Sequence, residues 1–253
     1  MSKFLFMGDS LTAGNLGFSF LKLLQDSSVL MEHTLMNGGE DGYTLEGLRL
    51  KLEAFLTRNK LPDVLILEGG ANDVLLPRMQ SQGPEWDPFI RKLKRHGSVP
   101  AGDKASFRNT LRTILSAAFD SMIPRVMICT IPCLGEDLLS GLNLKREEYN
   151  NIIREACLEY EQALFDCSCI DLAQRFEETL LPFQPGSPYL FNDPEALQHD
   201  ARRILSEGEN TLCSERKLQL TIDGAHLNSK GAELMARCFL EAFHREGLIS
   251  FIP

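Results

Sequence analysis

The sequence has 253 residues, of which 43% are hydrophobic and 24% charged. That is the composition of an ordinary globular chain, and its length allows a substantial buried core without disulfides or metals. A formal net charge of −9 excludes nucleic acid as the main partner, because phosphate binding needs clustered Lys and Arg; it leaves a small neutral substrate or an acyl chain open.

Short apolar runs alternate with segments of helical period, the pattern of a parallel sheet flanked by helices. The first predicted strand is Phe4–Met7. It runs into Gly8-Asp9-Ser10-Leu11-Thr12-Ala13-Gly14. A serine just past a strand end, on a turn before a helix, is placed to expose its hydroxyl at the rim of the sheet, where open α/β sheets bind ligands. A helix cap or turn is the competing reading. The segment is not the G-x-S-x-G elbow, since Thr12 stands where a second glycine is needed.

The second predicted strand, Glu32–Met36, leads to Asn37-Gly38-Gly39-Glu40-Asp41-Gly42-Tyr43-Thr44. Glycines before a helix allow backbone N–H groups to point at a ligand, though a tight loop needs them as well. Thr44 is a candidate cap for a helix marked by Leu45, Leu48, Leu52 and Phe55. The third strand, Val64–Glu68, is followed by Gly69-Gly70-Ala71-Asn72-Asp73. The Asn72 amide is either a donor to a developing oxyanion or a turn residue.

The stretch from Val74 to Lys104 carries Pro77, Pro84, Pro88 and Pro100 and reads as a long loop inserted over one end of the sheet. It also holds Trp86, Phe89 and the basic run Arg91-Lys92-Leu93-Lys94-Arg95. These form either an aromatic wall beside an anion patch or a solvated lid surface. Phe107, Leu111, Ile114 and Ala118 then mark a helix, Val126–Thr130 a strand, Tyr149, Ile152, Ala156, Tyr160 and Ala163 a helix, and Ser168–Leu172 the fifth strand. A second proline-rich insertion, 182–215, precedes Asp223-Gly224-Ala225-His226. A last helix follows, with Met235, Cys238, Phe239 and Ala242 on one face and Asn228 or Ser229 as cap.

A neutral imidazole is the natural base for a serine proton at pH 7. A carboxylate three residues earlier can reach back to the other ring nitrogen and fix its tautomer. His33, His96, His199 and His244 have no such neighbour. A local Asp–His pair or a metal pair is the competing reading, and a metal would want a third ligand close by. The seven cysteines are irregularly spaced and odd in number, which fits buried thiols in a reduced, cytoplasmic chain better than a disulfide framework. A zinc site from Cys129, Cys133, Cys167 and Cys169 is disfavoured by the C-x3-C and C-x-C spacings. No apolar run is long enough to span a membrane, and no secretory signal pattern opens the chain.

Gly8-Asp9-Ser10-Leu11, Gly42, Gly70-Ala71-Asn72-Asp73 and Asp223-Gly224-Ala225-His226 together resemble, in order, the four blocks of the SGNH or GDSL hydrolases. The resemblance spans residues 8 to 226. It implies one α/β domain, a three-layer α/β/α sandwich with a five-stranded parallel, flavodoxin-like sheet. It implies Ser10 as nucleophile, His226 as base and Asp223 as its orienting acid. The oxyanion hole would be the Ser10 N–H, the Gly42 N–H and the Asn72 side chain; Gly39 is an alternative to Gly42, which the following Thr44 favours. Asp9 and Asp73 would hold the loops by accepting backbone N–H groups. The expected chemistry is hydrolysis of a small carboxylic ester without metal or cofactor, with a short acyl group such as acetyl, on a sugar or similar small metabolite, preferred. A thioesterase or lysophospholipase, an inactive binding module, and a nucleotide-binding or receiver-like protein using Asp9 are the rivals. The last gives the Asp223–His226 pair nothing to do.

Overall fold

The computed structural model describes residues 1–58 and 60–250. Strands β1 (Lys3–Met7), β2 (Thr34–Asn37), β3 (Val64–Leu67), β4 (Arg125–Cys129) and β5 (Cys167–Ile170) form one parallel sheet in the order β2-β1-β3-β4-β5. Its helices are α1 (Ser10–Ala13), α2 (Phe20–Gln25), α3 (Leu45–Leu56), α4 (Ala71–Gln82), α5 (Asp87–Arg95), α6 (Lys104–Asp120), α7 (Gly141–Gln162), α8 (Leu172–Leu180), α9 (Pro194–Glu207), α10 (Glu209–Arg216) and α11 (Ser229–Arg245).

The three layers follow from the two-residue period of the strands. Leu5 and Met7, Leu65 and Leu67, and Val126 and Ile128 point to one face and join a core with α3, α4, α6 and α7. Phe4 and Phe6, Val64 and Ile66, and Met127 and Cys129 point to the other and pack on α2, α8 and α11. Both faces are covered, so β3 is apolar at every position and β1 and β4 at every position after Lys3 and Arg125, as parallel strands usually are.

The expected strands shift by one or two residues. Glu32 lies in a turn and β2 begins at Thr34, whose N–H donates to Ser2 O at 3.0 Å. Leu172 opens α8 instead of closing β5, because Asp171 accepts the Gln174 N–H and caps the helix there. The caps fall as expected. Thr44 accepts the Gly47 N–H, and Asn228 accepts the Gly231 N–H at 2.9 Å.

The two insertions are not loops. The first holds most of α4, a short 3-10 turn (Pro84–Trp86) and α5; the second holds α9 and α10. Their prolines mislead because several stand where a missing N–H costs nothing. Pro84 opens the 3-10 turn, Pro88 lies in the first turn of α5 and Pro194 is the first residue of α9. Pro77 is the exception, inside α4. No described helix is long and apolar enough to cross a membrane.

Candidate active site

Strand β1 lies inside the sheet between β2 and β3. Chain connections leave it in opposite directions here, so the loops after β1, β2 and β3 converge at the carboxyl edge. Asp9, two residues past β1, is the N-cap of α1, its Oδ1 accepting the Leu11 N–H at 3.1 Å. Ser10 is the next residue and the first of the helix.

His226 reaches this serine from 216 residues away in sequence, with Nε2 at 3.1 Å from Ser10 Oγ. Its Nδ1 lies 2.7 Å from Asp223 Oδ2. The other oxygen of Asp223 accepts the N–H groups of Ala225 and His226 at 2.9 and 2.8 Å, which folds the 223–226 turn around its own carboxylate. With the Nδ1 proton donated to Asp223, the Nε2 lone pair faces the serine hydroxyl. Phe191 stacks on the imidazole, ring centroids 6.3 Å apart, and its N–H donates to Asp223 O at 3.1 Å.

Burial favours the neutral imidazole, but the Asp223 carboxylate outweighs it and raises the His226 pKa above its ordinary 6.5. The same pairing works on Asp223, where burial would push the pKa up. His226 and the two backbone N–H groups overcome that and hold it below the ordinary carboxylate value.

Gly42 and Asn72 line one cleft with Ser10, His226 and Asp9. Gly42 has φ of +76°, open to glycine at little cost. The Gly39 N–H donates to Asn37 Oδ1 at 2.8 Å, so it is engaged within its own loop. Gly39 has a packing role: a Cβ there would lie 2.1 Å from Ala13 N, against the backbone of α1. The Asn72 amide donates to Tyr43 O at 2.9 Å and approaches Asp9 Oδ2 at 3.4 Å, which fixes its direction at the cleft wall. Asp73 faces away and accepts the N–H groups of Leu45 (2.9 Å) and Ala101 (2.8 Å). Burial raises it to about 6.

The aromatic and basic residues of the first insertion separate. Trp86 is fully buried, its Nε1 donating to Asn192 O at 3.1 Å, while Phe89 lines the cleft. Arg91, Lys92, Lys94 and Arg95 are exposed and none lines the cleft; Leu93 turns inward against Gly42. The run is therefore the solvated face of α5. Among the described residues no group of three His, Cys, Asp or Glu is placed to hold a metal ion.

Two buried carboxylates escaped the sequence reading. Glu68 directly follows β3, and its Oε2 accepts Thr12 Oγ1–H at 2.8 Å and the Asp9 N–H at 3.4 Å. Burial raises the pKa of both Glu68 and Asp9, and the nearness of Glu68 raises Asp9 further. Glu136, in the loop after β4, accepts the N–H groups of Gln219 (2.6 Å), Leu220 (2.8 Å) and Thr221 (2.9 Å) and the Thr221 hydroxyl (2.8 Å). Neither carries a local motif; their partners become neighbours only on folding.

A five-stranded parallel sheet of order 2-1-3-4-5 between helical layers is the α/β fold of the GDSL hydrolases. The chain belongs to the GDSL-like lipase/acylhydrolase family, whose sequence profile matches residues 4–239. Its fold is similar to that of the acetyl xylan esterase AlAXEase, at 24% identity and a TM-score of 0.63, covering 95% of this chain and 98% of that one. It is also similar to a lipolytic G-D-S-L family protein from Veillonella parvula, at 17% identity and a TM-score of 0.61, covering 96% and 98%. A third is Axe2, an acetylxylan esterase from Geobacillus stearothermophilus, at 18% identity and a TM-score of 0.59, covering 95% and 93%. No curated protein matches the chain by sequence.

Proposed function

We propose that the protein is a serine hydrolase of carboxylic esters acting through an acyl-enzyme. The observation that carries this reading is the unbroken hydrogen-bonded line Asp223–His226–Ser10, opening on a cleft walled by Gly42 and Asn72. Ser10 Oγ attacks the ester carbonyl as its proton passes to His226 Nε2, and Asp223 stabilises the imidazolium. The carbonyl oxygen becomes an oxyanion, received by the N–H groups of Ser10 and Gly42 and the Asn72 amide. Collapse expels the alcohol, which takes the proton from His226. Water, deprotonated by the same nitrogen, then releases the acid and restores Ser10.

Every group in this mechanism is an ordinary side chain or backbone N–H, so it needs no cofactor. Asp9 and Asp73 act on loop geometry rather than on substrate. Acetyl esters fall within the reading, and two of the fold neighbours are named as acetylxylan esterases. The test is turnover of nitrophenyl acetate with fluorophosphonate labelling. Ser10→Ala should lose both, and Asn72→Ala should label but turn over about 10²- to 10³-fold more slowly. Full turnover by Ser10→Ala would falsify the assignment.

A further inference from the structure

We propose that the cleft continues past Ser10 as an apolar channel between the two inserted helical segments, and that this channel takes the acyl chain of a medium-length ester. The inference rests on the ester-hydrolase reading above and specifies its substrate. Three residues, Leu16, Phe89 and Leu197, line both the cleft at the serine and a second cavity beyond it, so the two spaces share a wall. They come from three places: the turn after α1, α5 and α9. All three are half-buried, leaving apolar surface for a ligand to cover. On α4, Leu75 and Met79 follow Asn72 at helical spacing along the cleft, leading away from the amide.

The chemistry of the walls selects the occupant. Trp86 borders the outer cavity, but its N–H is committed to Asn192 O. Apart from Gln198 and Arg202, the outer cavity is lined by Leu16, Trp86, Phe89, Pro194 and Leu197. A sugar ring there would find only Gln198 and Arg202 to replace its hydrogen bonds to water. A methylene chain has none to lose, and each methylene buried is worth about three- to fourfold in binding.

The channel suits the acyl side of the ester. The departing alcohol must stay beside His226 Nε2 to receive its proton, and the outer cavity touches neither His226 nor Ala225. The chain that runs away from the histidine is therefore the one bonded to the carbonyl carbon.

The experiment is a nitrophenyl ester series of acetate, butyrate and octanoate, run beside ethyl octanoate and octyl acetate. kcat/KM is expected to rise at least about tenfold from acetate to octanoate, and ethyl octanoate to exceed octyl acetate. Leu197→Trp and, separately, Leu16→Trp fill the shared wall. Each should lower the octanoate-to-acetate ratio by about tenfold or more, with circular dichroism reporting the fold of both. A flat or falling series, a gain on octyl acetate instead, or an unchanged ratio in a folded variant overturns the channel while ester hydrolysis stands. No turnover of any ester, with no fluorophosphonate label on Ser10, overturns the hydrolase reading and the channel with it.

Discussion

His226 sits between two opposed influences. Removal from water disfavours its cation, while the carboxylate on Nδ1 favours it, and the carboxylate wins. Catalysis needs the neutral ring, so the rate falls as pH drops through the raised pKa. The acid limb of kcat/KM is therefore expected above 6.5, the ordinary histidine value. Asp223→Asn should move that limb downward and reduce turnover by about four orders of magnitude, since the tautomer is no longer held; a pH–rate profile of both proteins measures it. Glu68 makes a different prediction. Its carboxyl and that of Asp9 are both buried, with raised pKa values, so folding there favours the protonated pair. Stability from this site is greatest below the ordinary carboxylate range and is lost as pH rises through the raised values. Glu68→Gln keeps an acceptor for Thr12 and should flatten that loss. Glu68→Ala strands the Thr12 hydroxyl and Asp9 N–H and should cost about 1–3 kcal/mol. Urea melts across pH compare the three.

At the scale of elements, what the sequence made legible was whatever local chemistry decides. Strand runs, the caps at Thr44 and Asn228 and the Asp223–His226 turn each depend on residues a few positions apart. The insertions were illegible because proline is compatible with both a loop and the first turn of a helix, and only tertiary packing chooses. Trp86 illustrates this: its stretch lacks an obvious helical stripe, yet the ring is buried against Phe89 and Phe191 from both insertions. The β2–α3 loop offers a sharp test of packing between elements. Gly39 abuts the backbone of α1, where no side chain can yield. Gly39→Ala should displace that loop from the helix carrying Ser10. A loss of about 1–3 kcal/mol in urea stability, as for other overpacked sites, is expected together with reduced turnover.

Across the whole molecule, the working parts are split between the two ends of the chain. Ser10 is anchored by the sheet through β1, whereas Asp223 and His226 lie on a turn outside any sheet strand, supported by one isolated bridge between Thr221 and Leu227. Something must hold that turn against the sheet, and Glu136 is placed to do so. It projects from the loop after β4 and gathers the backbone of 219–221, more than 80 residues later in sequence, just before Asp223. The neighbouring Gly135 N–H donates to Gly224 O at 2.6 Å, inside the turn itself. Glu136→Ala would leave three buried or half-buried N–H groups and a hydroxyl without their acceptor. The expected cost is at least about 1–3 kcal/mol, the scale on which buried donors left without their acceptor destabilise a fold. Glu136→Gln keeps one acceptor oxygen but turns the other into a donor facing an N–H, so it should fall between. If the carboxylate positions the turn, kcat should fall in Glu136→Gln while fluorophosphonate still reaches Ser10, more slowly. Native labelling and native kcat in a destabilised variant would show that Glu136 supports only the fold.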